Sequence, residues 1–147
     1  MILDNLLLGL ACMIVCVLIQ GLLVASVVEL YVRRQRFIAV QSFLRTQVFI
    51  IIVMVALVIG NFMQIAIWAA LFMYLKEFED FSTAIYHSAV NFATLGYGDI
   101  VMSEKHRLLG PLQSINGVLM VGVSTAVVMG TFQNALKFAR ESRRRDL

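Results

Sequence analysis

Thr94-Leu95-Gly96-Tyr97-Gly98-Asp99, with the apolar segment Phe81 to Ala93 ahead of it, decides how the rest of the chain is read. Glycine stands at alternate positions, 96 and 98, and glycine adopts φ > 0 at no steric cost. A backbone that alternates in this way can turn successive carbonyls to one side. The preceding segment reads as a short helix with Asp80 or Ser82 as N-cap. It is too short to cross a bilayer, which takes ~20 residues. Non-helical backbone at membrane depth is tolerated only inside protein or along a water-filled path. The pattern predicts a helix that enters a membrane and a glycine-rich return that leaves by the same side.

The remainder of the chain supplies the membrane. Of 147 residues, 61% are hydrophobic and the mean hydropathy is +0.87, too apolar for a water-soluble domain. Spans are expected over about Leu6 to Leu30, about Gln47 to Tyr74, and from Pro111 to about Phe138. The fold class is therefore an all-α membrane protein of three transmembrane helices plus one re-entrant helix and loop. The chain divides into 1–46 (a span and a basic connection), 47–138 (two spans enclosing the re-entrant piece) and 139–147 (a basic tail). The first span lacks the basic start, short apolar run and cleavage site of a signal peptide, so it reads as retained.

Polar residues inside the spans carry structural readings. Cys12 and Cys16, four apart, read as small packing residues, since no His or carboxylate ligand lies near them. Asn61 and Gln64 share one helical face and suit interhelical hydrogen bonds. Trp68 and Tyr74 read as interfacial aromatics, and His87 as packed against a neighbouring span. Gly110, Gly117, Gly122 and Gly130 suit close helix packing. Gln113, Ser114, Asn116, Ser124, Thr125 and Gln133 give the last span a face that meets water or protein.

Charge sets the orientation. The first connection and the tail hold nine of the twelve Lys and Arg residues, leaving Lys76, Lys105 and Arg107 on the other side. The positive-inside rule then puts the N-terminus outside and the C-terminus in the cytoplasm, with the re-entrant piece entering from outside. Arg33, Arg34, Arg36, Arg143, Arg144 and Arg145 are candidates for anionic lipid headgroups. No span carries Arg or Lys at every third position, which argues against a voltage sensor. No nucleotide, metal or nucleophile constellation is present, so an enzyme and a cofactor are not expected.

The complete hexapeptide, following a short apolar helix and lying between two spans, resembles the selectivity filter of pore-loop potassium channels. The resemblance covers about Asp80 to Phe138. Tyr86 to Asp99 is similar to the pore helix and filter of that family, and Arg107 to Gly117 to the start of its inner helix. It implies K+ as permeant ligand, bound by the carbonyls of Thr94, Leu95, Gly96 and Tyr97 with the Thr94 hydroxyl. Gly98 completes the return, and Asp99 lies at the outer mouth. It further implies a homotetramer in the plasma membrane, of the prokaryotic cytoplasmic type, with Gly117 as inner-helix hinge. Helical spacing from Gly117 puts Val118, Val121, Thr125 and Met129 along the cavity wall and turns Val123 and Val127 away. Leu95 replaces the commoner Val, and Asn91 and Ala93 stand where the family often carries hydroxyls. A weakly selective cation channel of the same fold, and a non-conducting subunit regulating another channel, are the alternatives.

Overall fold

Each apolar run is a helix, and every long one extends beyond the run that signals it. The computed structural model describes residues 2–35 and 43–145. They form α1 (Ile2–Gln35), α2 (Phe43–Tyr74), α3 (Phe81–Phe92) and α4 (Leu109–Arg145), with no strand among the described residues. Three stretches, Ile2–Leu30, Gln47–Tyr74 and Leu109–Asn134, are long and apolar enough to cross a membrane. The 34 residues of α1 rise about 51 Å, well beyond a hydrocarbon layer of ~30 Å. The residues expected as a separate tail from 139 continue α4 to Arg145, because Arg and Glu are good helix formers and continuing satisfies backbone groups that an end would leave open. Arg36 lies outside the described residues. So do the side chains of Arg33, Arg34, Arg143, Arg144 and Arg145, and with them the expected lipid contacts.

Helix α1 packs on α2 and α4, and α3 is held between the same two helices. The Asn5 amide donates to the Lys105 carbonyl at 2.6 Å, so the start of α1 and the α3–α4 connection share one end of the bundle. Near that end Cys12, Cys16, Trp68, Phe72 and Leu109 form a buried cluster. The reading of Trp68 as interfacial is corrected here, for its side chain is fully buried. It sits six residues before the end of α2, roughly 9 Å inside it, where the small cysteines of α1 leave room for an indole. Tyr74 is 81% exposed.

A polar node fixes the first helix deeper in the membrane. Gln20 is buried; its Oε1 accepts from Gln64 Nε2 at 2.9 Å, and its Nε2 donates to Ser124 Oγ at 3.0 Å. Asn116 Nδ2 donates in turn to Gln64 Oε1 at 3.5 Å. Gly60 makes room, since a Cβ there would lie 2.9 Å from Gln20 Oε1. Hydrogen bonds of this kind average about 0.6 kcal/mol in membranes, but stranding one buried partner costs more. The node therefore sets register more than it adds stability. Gln64 makes the interhelical bond expected of it, whereas buried Asn61 Oδ1 has no partner among the described residues.

Candidate functional site

Helix α3 is seated by polar contacts at each level. Asp80 is its N-cap, accepting from the Thr83 amide at 2.8 Å and the Thr83 hydroxyl at 2.6 Å. In its middle Ser88 donates to the Ile65 carbonyl of α2 at 2.7 Å, and Gln113 Nε2 of α4 donates to the Ser88 carbonyl at 3.0 Å. At its end Phe92 packs with Ile65 and Met120. Gly117 lies directly beneath, where any Cβ would collide with the Phe92 carbonyl. Close approach is therefore one reason for glycine at 117, and α4 runs unbroken through it.

The chain leaves α3 through a left-handed turn. The Thr94 amide bonds the Asn91 carbonyl and the Leu95 amide bonds the Val90 carbonyl, both at 2.9 Å. This pairing is the Schellman closure, with Thr94 at the position usually held by glycine. Thr94 accordingly has φ 59°, Gly96 φ 59° and Gly98 φ 73°, while Leu95 and Tyr97 between them are not positive. The glycine pattern foretold two of these three positions. Thr94 escaped sequence reasoning because a β-branched residue is the last expected at φ > 0.

Beyond Leu95 the loop is open. Among the described residues its carbonyls at Thr94, Leu95, Gly96 and Tyr97 accept no backbone hydrogen bond. Leu95 is 54% and Tyr97 66% exposed in the single chain. Order returns at Asp99, whose Oδ2 accepts from the Tyr86 hydroxyl at 2.7 Å and whose Oδ1 accepts from the Ile100 amide at 3.1 Å. The Tyr86 hydrogen bond holds the Asp99 carboxyl below its usual range, and the same bond raises the Tyr86 phenol. Next along, the Ile100 carbonyl lies 3.0 Å from His87 Nδ1.

A second clasp ties the outer connections. Glu77 accepts from the Ser103 amide and hydroxyl, both at 2.7 Å, and from His106 Nδ1. Burial opposes ionisation of Glu77, but the His106 and Ser103 hydrogen bonds outweigh it and hold the carboxyl below its usual value. Sequence gave no sign of this group, since partners 26 and 29 residues apart follow no local period. Among the described residues no cluster of three or more His, Cys, Asp or Glu could hold a metal. The open carbonyls are thus the oxygen-rich feature of the site.

Along α4, Val118, Val121, Thr125 and Met129 form an exposed stripe, while Val123 and Val127 are half-buried. Val127 faces inward onto a cleft it shares with Val27, Val28 and Phe49.

The fold and loop together define a helical membrane protein with a short helix and an exposed carbonyl loop cradled between two spans. Residues 62–134 match the model of a family described as ion channel. The matched segment contains the end of α2, all of α3, the loop and most of α4. No curated protein and no solved structure matches the chain.

Proposed function

We propose that four copies of this chain form a K+-selective channel whose filter is the loop 94–99. The alternation of positive φ at 94, 96 and 98 in an exposed loop with free carbonyls carries this reading. Such a backbone can present one carbonyl after another to an axis, and a ring of them can replace the water around K+. Thr94, Leu95, Gly96 and Tyr97 supply the carbonyls, the Thr94 hydroxyl adds the innermost oxygen, and Asp99 stands at the mouth. In this reading α3 is the pore helix, its C-terminal partial negative charge favouring a dehydrated cation. One chain supplies one quarter of each ring, so the unit is a fourfold assembly. The exposed Leu95, Tyr97 and the α4 stripe are the surfaces such an assembly would cover or turn to its cavity. Helix α4 is then the inner helix, with Gly117 as its bending point and Val118, Val121, Thr125 and Met129 on the cavity wall. The N-terminus lies outside and the C-terminus in the cytoplasm of a prokaryotic-type plasma membrane, where the basic residues 33–36 and 143–145 meet anionic lipid. K+ is the permeant ion and no cofactor is required.

Purified protein in liposomes tests the proposal by K+ against Na+ flux, with native mass giving the copy number. A tetramer passing K+ in strong preference is expected. Comparable Na+ flux would favour a weakly selective cation channel, and no flux from a stable assembly a regulatory subunit. Cysteines at Val118, Val121, Thr125 or Met129 should let cytoplasmic thiol reagents block current. Equal block at Val123 and Val127 would overturn the assignment of the wall.

A further inference from the structure

Two consecutive residues of α3 grip two consecutive residues at the loop's exit: Tyr86 holds Asp99 and His87 holds Ile100. The second grip has an internal logic. His87 is 7% exposed and wedged against the rings of Phe72 at 5.7 Å and Phe78 at 5.0 Å, so its plane is set by packing. Its Nδ1 lies 3.0 Å from the Ile100 carbonyl, and its Nε2 lies 2.9 Å from Asn91 Nδ2, one helical turn on. A carbonyl only accepts, so Nδ1 must carry the proton. A neutral ring then has a bare lone pair at Nε2, and an amide nitrogen is the donor that suits it. Asn91 is itself fixed, for its own carbonyl receives the Ser114 hydroxyl of α4 at 2.9 Å and the Thr94 amide at 2.9 Å. Asn91 thus touches the loop's entrance through its backbone and its exit through His87.

We propose that His87 is a positioning residue for the exit of the filter, donating from Nδ1 to the Ile100 carbonyl while the Asn91 amide fills its Nε2. With the proton held on Nδ1, His87 pins Ile100, and through it the carboxylate of Asp99 that caps the Ile100 amide. This inference rests on the loop being a selectivity filter, and it makes a separate statement about the proton on one ring.

A merely structural histidine and a donating one differ in what can replace them. Phenylalanine keeps the ring packing and loses the N–H, whereas asparagine loses the ring and keeps an amide N–H close to the place of Nδ1.

The experiment compares wild type, His87→Phe and His87→Asn in liposomes near pH 8. His87→Phe should lose about fivefold in K+/Na+ flux ratio, and His87→Asn should recover most of it. A His87→Phe channel equal to wild type, or a His87→Asn channel no better than His87→Phe, overturns the proposal. Nitrogen-15 spectra of the two histidines give a readout independent of conduction. His87 should be protonated at Nδ1 in wild type, and protonation at Nε2 in the neutral wild type refutes the inference. Wild-type protein that shows the expected tautomer but no selective K+ flux refutes the channel reading instead.

Discussion

The loop 94–99 hangs at its entrance from the backbone of α3, and at its exit it is held by side chains. The entrance is a helix closure, in which the Thr94 and Leu95 amides return to the Asn91 and Val90 carbonyls. Any sequence able to take φ > 0 at 94 can make it. The exit depends on particular groups, the Tyr86 hydroxyl, the Asp99 carboxylate and the His87 ring. Backbone closure gives a fixed starting geometry that few substitutions disturb. Side-chain anchoring leaves the other end open to adjustment, one group at a time. Between the two, Gly96 and Gly98 have no backbone hydrogen bonds among the described residues and rely on their own dihedral freedom.

The largest effect is expected where neither anchor reaches. Gly96→Ala puts a Cβ at φ 59°, at about 1–2 kcal/mol per chain. Around the proposed fourfold ring this should abolish selective K+ flux while leaving assembly by native mass intact. Next comes the exit. Tyr86→Phe removes the donor to Asp99 and nothing else, and the K+/Na+ flux ratio should fall about twofold to tenfold. An unchanged ratio would mean that the exit is held by the rest of the ring.

Smaller is the change at the entrance. Thr94→Gly relieves a left-handed β-branched residue but adds unfolded-state freedom, for a net gain under about 1 kcal/mol per chain. The variant should melt slightly later than wild type and yet conduct less, since the innermost hydroxyl is gone. A lower melting temperature would show that the closure does not strain Thr94.

Least of all should pH matter to the exit. Asp99 is depressed below its unfolded value of about 3.9, so its contribution is complete above that value and fades as pH falls through the folded one. Tyr86 is raised above about 10, so its contribution is complete below that value and fades as pH rises through the folded one. The melting difference between wild type and Tyr86→Phe should stay constant from about pH 5 to 9 and shrink only outside that window. A slope within the window would point to a different partner for Asp99.

Three spans, one helix too short to span and a loop glycine-rich at alternate positions are properties of local composition. They depend on run length, a cap and φ freedom, each contained within a few neighbouring residues. That is why α3 starts at the expected Phe81, capped by Asp80, one of the two residues expected there, and ends one residue short of the expected Ala93, and why the second span matches the expected Gln47–Tyr74. The site was legible to the same extent: the loop and the exposed stripe of α4 follow from spacing, but the grip of Tyr86 and His87 on Asp99 and Ile100 does not. Trp68 shows the limit most plainly, because an indole six residues from a helix end reads the same whether lipid headgroups or Cys12 and Cys16 await it. The docking of α1 through Gln20, Gln64 and Ser124, the Glu77 clasp and the collision that keeps 117 a glycine all join residues from different helices. Such contacts exist only once the helices have packed, since burial and hydrogen-bond reach are set by distance in space. The sequence by itself determined the parts and where the loop's backbone can turn; tertiary packing decided which side chains hold it.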